Sequence, residues 1–149
     1  MIHVICLGNP LHGDDGFGAA VYRQLAGLSW SGDVRVFDAA AEGGALALFK
    51  ACDAVMVIDA LPPTSGGGGE ILRLPDYPAD SMGERGTGTA AILAAARRTI
   101  TPMPDLSILG AVAIRCTPFH PGLSPLVAAA AETVAAMVAK ELGGRRGAA

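Results

Sequence analysis

Ile2-His3-Val4-Ile5-Cys6-Leu7-Gly8-Asn9-Pro10-Leu11-His12-Gly13-Asp14-Asp15-Gly16-Phe17-Gly18 is the stretch whose reading decides the fold. Its first part, Ile2–Leu7, is apolar throughout apart from His3, the pattern of a strand covered on both faces. A loop rich in Gly, Pro and Asp follows. Phe17, Val21, Leu25 and Leu28 then recur at helical spacing. Strand, loop and helix in that order predict a parallel sheet with helices packed on it.

Outward from there the pattern repeats. Val34–Phe37 reads as a second strand ending at Asp38, Gly44–Ala51 as a short helix, and Ala54–Ile58 as a third buried strand ending at Asp59. Leu61 to Glu70, with Pro62, Pro63 and four consecutive glycines, reads as a flexible loop. Glu70–Leu74 alternates imperfectly and is expected at a sheet edge. Pro75 to Gly88 is a second long loop, and Thr89–Arg98 a helix with a threonine cap. Leu106–Ile114 is the fifth strand. Ser124 and Pro125 mark the start of a last helix that runs to Leu142 and stops at Gly143-Gly144. One domain is expected over residues 1–144, with 145–149 a disordered tail. His3, in mid-strand, is expected to pack and play no part in chemistry.

Composition bounds the function. Of 149 residues 51% are hydrophobic and 17% charged, which excludes extended disorder and leaves ample material for a core. Net charge is −3 and the basic residues form no stripe, so no nucleic-acid partner is expected. The most apolar stretch, Leu126 to Ala139, is interrupted by Glu132 and too short to span a bilayer. No basic leader or cleavage pattern surrounds Ile2–Leu7, so no signal peptide is expected. Cys6, Cys52 and Cys116 are scattered without a C-x-x-C pair, which points to a reducing cytoplasm. A monomer is expected.

Three acids stand out by position. Asp15 follows strand one, Asp38 ends strand two and Asp59 ends strand three. In parallel strands all three face one carboxyl edge, where open α/β sheets hold their ligands. For Asp38 a turn or helix-capping role weighs equally. The first loop lacks the spacing of a dinucleotide fingerprint or P-loop, and adjacent Asp14 and Asp15 would repel a phosphate. Asp15 with Asp59 suits a cation. Cys6 and Cys52 read as packing residues, and Cys116 has no evident histidine partner.

Gly8-Asn9-Pro10-Leu11 with Gly13-Asp14-Asp15-Gly16-Phe17-Gly18 resembles the opening signature of the nickel–iron hydrogenase maturation endopeptidases. Asp38 with Gly43 and Leu46 is similar to that family's second block, Val57-Ile58-Asp59-Ala60 to its third, and Gly122-Leu123-Ser124-Pro125 to its last. The resemblance runs through nearly the whole chain in order. It implies a three-layer α/β/α sandwich with a five-stranded, mostly parallel sheet of order 2-1-3-5-4, strand four antiparallel. It implies an endopeptidase that removes a C-terminal extension from the hydrogenase large-subunit precursor once nickel has been inserted. Nickel then comes with the substrate, and no organic cofactor is implied. Carried over, the family's metal set and catalytic acids fall on Asp15 and Asp59, with Asp38 as a further acid; Asn9, Asp38 and Arg85 fall on the substrate side.

The chain departs from the pattern at one ligand. Arg85 stands where the family has a histidine, and arginine offers no lone pair to a metal. Glu84, His12 and His120 are the alternatives for a third ligand, each with a plain reading as a surface loop residue. A guanidinium suits carboxylates, so Arg85 is expected to reach toward Asp15 or Asp59 in place of an ion, or else to point to solvent. Two other readings stand beside the protease. One is a family member that binds or chaperones the precursor without cutting it. The other is a small-molecule α/β hydrolase or transferase of phosphorylase-like architecture, disfavoured because no nucleophile elbow is present.

Overall fold

In a computed structural model of the chain, residues 1–39, 43–78 and 88–147 are described. Five strands form the main sheet: β1 (Ile2–Cys6), β3 (Val34–Asp38), β4 (Ala54–Leu61), β5 (Ile71–Leu74) and β6 (Asp105–Val112). Their spatial order is β3-β1-β4-β6-β5, with β5 antiparallel to β6 and the other pairings parallel. Counted among these five alone, this is the expected order 2-1-3-5-4.

Alternation along each strand sorts the side chains into two cores. Val4, Cys6, Met56, Ile58 and Leu109 meet α1 (Phe17–Leu25) and α3 (Pro125–Leu142) through Phe17, Val21, Val127, Val134 and Val138. Ile5, Leu7, Val55, Val57 and Ile108 face the other way, onto Phe49 of a 3-10 turn (Gly43–Phe49) and Leu93 of α2 (Thr89–Thr99). The sheet is therefore covered on both faces, as the unbroken apolar runs of β1 and β4 require. His3 belongs to this packing: its ring nitrogen Nδ1 lies 2.7 Å from the Leu48 carbonyl, and the ring meets Phe37 edge-on.

The start of α1 is pressed against β1. A Cβ placed on Gly18 would lie 2.1 Å from the Leu7 carbonyl oxygen and 2.9 Å from that of Ile58. Both are backbone atoms, so the clash cannot be relieved by a rotamer change. Gly18→Ala is expected to cost about 3 kcal/mol, read as a lowered urea midpoint with an unchanged slope.

Several expectations are corrected. The segment expected as a short helix at Gly44–Ala51 is the 3-10 turn just described. Leu28 does not extend α1; it lies in β2 (Leu28–Ser29), which pairs antiparallel with β7 (Arg145–Arg146). Beside this pairing Gly144 lies against the Trp30 ring, and the Trp30 indole N–H donates to the Leu25 carbonyl. β4 runs on to Leu61 because β6 pairs with it through Leu61↔Val112, so Asp59 lies inside the strand rather than at its end. No helix among the described residues is long and apolar enough to cross a membrane.

Candidate functional site

The register brings the acids together. Cys6 of β1 pairs with Asp38 on one side and with Ile58 on the other. Asp38 and Asp59 therefore flank β1 at its carboxyl end. The loop after β1 turns at Gly8, whose φ of +110° favours glycine. A Cβ there would lie 2.1 Å from the Asp15 carbonyl oxygen and 3.2 Å from Asp59 Oδ1, so the loop passes directly over Asp59. Asn9 tightens it. Its backbone N–H donates to Asp15 Oδ2 at 3.1 Å, and its side-chain oxygen accepts from the Leu11 N–H at 2.9 Å. The Asn9 amide thus braces the turn.

Asp59 is buried and doubly held. Oδ1 accepts from the Ala60 N–H at 2.8 Å, and Oδ2 accepts from the Thr89 hydroxyl. Its carboxyl is pushed up to about 7, by burial above all and by the nearby charge of Asp15, against the opposing pull of the Thr89 and Ala60 hydrogen bonds. The expected threonine cap on α2 is thereby corrected. Gly88 is the capping residue, and the Thr89 side chain caps nothing because its hydroxyl is committed to Asp59.

Asp14 has the opposite character. It is fully buried, and its carboxylate accepts from the N–H groups of Ile114, Arg115 and Ser124 and from the Ser124 hydroxyl, at 2.6–2.8 Å. Burial works against its charge, but these four donors outweigh it and hold the carboxyl below its usual range. Asp14 ties the first loop to the end of β6 and the start of α3. Ser124 stands at the capping position as expected, but its hydroxyl serves Asp14 and not the helix.

Sequence reasoning missed Tyr77, Thr89 and the role of Asp14. The Tyr77 hydroxyl donates to the Ala60 carbonyl at 2.8 Å. Burial raises its ionisation first, then the charges of Asp59, Asp15 and Cys116. Cys6 and Cys52 are held as thiols chiefly by burial, in keeping with a packing role.

The candidate third ligands divide in two. Glu84 and Arg85 lie outside the described residues. His12 and His120 face each other across a parallel bridge, and the His12 ring packs edge-on against Phe119 at 5.6 Å. Among the described residues no three His, Cys, Asp or Glu side chains gather as a metal site. Asp15 and Asp59 offer the hard oxygen donors a divalent cation accepts. As a resident metal site this pair is incomplete among the described residues. The groove between α1 and α3, about 420 Å³ and lined in part by Arg23, Gln24 and Glu132, contains neither acid.

A five-stranded sheet of this order, covered on both faces and carrying two coupled aspartates at its carboxyl edge, defines an α/β/α domain of the hydrogenase maturation protease fold. The neighbours among solved structures support the family to which the sequence blocks point. The hydrogenase maturating endopeptidase HybD from E. coli superposes with a TM-score of 0.76 at 24% identity, covering 97% of this chain and 94% of its own. A [NiFe] hydrogenase maturation protease, HycI from Thermococcus kodakarensis, gives 0.75 at 21%, covering 95% and 92%. The hydrogenase 2 maturation peptidase from Thaumarchaeota archaeon SCGC_AB-539-E09 gives 0.70 at 25%, covering 95% and 97%. No family model and no curated protein matches the sequence.

Proposed function

We propose that the protein is an endopeptidase that removes a C-terminal extension from a nickel–iron hydrogenase large-subunit precursor after nickel insertion, in the cytoplasm and as a monomer. The observation that carries this reading is the placing of Asp15 beside buried Asp59 across Gly8, at the carboxyl edge of this fold. Nickel belongs to the substrate here. It would be met by the carboxylates of Asp15 and Asp59, which together attract a cation that neither would hold alone.

Asp59 supplies the proton chemistry. Burial leaves this carboxyl at about 7 in the free protein, and a cation beside it would favour the ionised form that acts as general base. In its ionised form it takes a proton from water as the water oxygen adds to the scissile carbonyl carbon. The carbon–nitrogen bond then breaks and the proton passes to the departing amine. Thr89 and Ala60 hold the carboxylate in one orientation during both transfers. Asp38 and Asn9 lie at the same edge, where they border the incoming chain.

Incubation with nickel-loaded and nickel-free precursor tests the reading. Loss of a C-terminal peptide from the loaded form alone is the expected mass change, and an intact loaded precursor would contradict it. The second reading, a precursor binder without proteolysis, draws on Arg85 standing in the family's histidine position; it predicts co-migration with the precursor and no mass loss. Arg85 also has a direct test. If it stands in for a cation beside the acids, Arg85→His should raise nickel affinity by about tenfold or more in titration calorimetry. Tight nickel binding by the unaltered protein would show that another residue already completes the site.

A further inference from the structure

Among the described residues four large apolar side chains are exposed: Leu11 at 53%, Ile114 at 46%, Phe119 at 80% and Leu126 at 62%. Single exposed apolar residues scattered over a surface need no explanation, whereas a grouping does. All four lie in the segments at the carboxyl edge of the sheet. Leu11 is in the first loop, Ile114 follows β6, Phe119 lies in the connection to α3, and Leu126 is in the first turn of α3.

These residues are held in place from beneath. Backbone bonds join the two loops: the Gly13 N–H donates to the His120 carbonyl and the Asp14 N–H to the Arg115 carbonyl, both at 2.8 Å. The glycine run expected as a flexible loop packs under the patch. A Cβ on Gly68 would lie 2.5 Å from Ile114 Cγ1, and one on Gly69 2.8 Å from Leu126 Cβ. Phe119 is strained as well as exposed. Its φ of +61° is a region that bulky side chains rarely occupy, and His12 meets its ring edge-on. Folding alone would favour a small polar residue there.

The surface adjoins the loop that carries Asp15. Leu11 and Asp15 share one loop, and the Asp15 N–H donates to the His12 carbonyl at 3.1 Å. A polypeptide that approaches Asp15 along this loop passes Leu11 and, across the His12 ring, Phe119. We propose that Leu11, Ile114, Phe119 and Leu126 form the docking surface for apolar side chains of the polypeptide segment next to the bond to be cut. This inference rests on the endopeptidase reading above and adds the chemistry of the segment that is recognised. Aromatic and aliphatic anchors beside a polar catalytic edge are the composition from which binding hot spots are built.

The test uses the full chain and nickel-loaded large-subunit precursor, with binding and cleavage measured separately. Phe119→Asn removes the ring and suits the left-handed backbone, so folding is preserved; Leu126→Ser alters an exposed position in α3. Each should weaken precursor binding by at least about tenfold without lowering the melting temperature. Equal binding by the variants and the unaltered protein overturns the inference and leaves the endopeptidase reading standing. Weakened binding with no cleavage by the unaltered protein keeps the docking surface and overturns that reading. Sedimentation supplies the last outcome: self-association that Phe119→Asn abolishes would make a second copy of this chain the occupant and overturn the inference.

Discussion

Asp59→Asn is expected to abolish precursor processing and at the same time to stabilise the folded protein at pH 8. The carboxyl stands at about 7 in the folded chain, against about 3.9 for an unperturbed aspartate. The folded state therefore holds a proton that the unfolded chain has released. The stability this contributes is fully present below about pH 4 and is lost as pH rises to about 7, a change of roughly 4 kcal/mol for a shift of about three units. An amide carries no charge at any pH and escapes this loss. Its oxygen can still accept from Ala60, and its NH2 can donate to the Thr89 hydroxyl. A gain of about 1–3 kcal/mol at pH 8, or several degrees in melting temperature, follows. Cleavage should fall by a factor of about 10³ or more, because the amide can neither take nor return a proton. A variant that is less stable at pH 8, or that processes normally, would contradict the assignment.

Asp14→Ala should do the reverse to stability. Removing this carboxylate strands the N–H groups of Ile114, Arg115 and Ser124 where Asp14 now fills the space completely. The expected cost is about 4 kcal/mol or more, a fall of roughly 10 °C in melting temperature for a chain of this size. The pH dependence has the sign opposite to that of Asp59. The folded state holds the Asp14 carboxyl below its usual value, so its stabilisation is present above about pH 4 and is lost as pH falls further. Urea midpoints between pH 3 and 8 separate the two: Asp14→Ala flattens the acid limb, and Asp59→Asn flattens the decline toward pH 7. An unfolding free energy for Asp14→Ala within about 1 kcal/mol of the unaltered protein would show that the four donors find other partners.

These two aspartates also mark where sequence reading reaches its limit. Unbroken apolar runs such as Ile2–Leu7 and Ala54–Ile58 reveal buried parallel strands, and the acids after them reveal one edge. The parallel strands and their shared carboxyl edge were legible for that reason, whereas the sheet order came only with the resemblance of the sequence blocks. The division of labour between Asp14 and Asp15 was not. The two are neighbours in a 3-10 turn, Gly13–Gly16, where consecutive side chains leave the axis about 120° apart. One turns into the protein toward β6 and α3, and the other toward Asp59. Nothing in an Asp-Asp pair says which.

Thr89 and Ser124 misled in a related way. Each sits at a helix start, and local rules read such hydroxyls as caps. Each hydroxyl donates to a buried carboxylate instead, and that bond fixes the rotamer in which its oxygen is held. Those partners lie 30 and 110 residues away in the chain, beyond any local pattern. Tyr77 joins the site through the Ala60 carbonyl, 17 residues away. The pairing of Arg145–Arg146 with Leu28–Ser29 was hidden because two-residue strands carry no periodicity.

The most direct test of the whole account is intact-mass measurement of nickel-loaded large-subunit precursor after incubation with the unaltered protein, Asp15→Asn and Asp59→Asn in parallel, each confirmed folded by its melting curve. The account predicts release of a C-terminal peptide by the unaltered protein and an unchanged precursor mass with both variants. Equal release by either variant would contradict it.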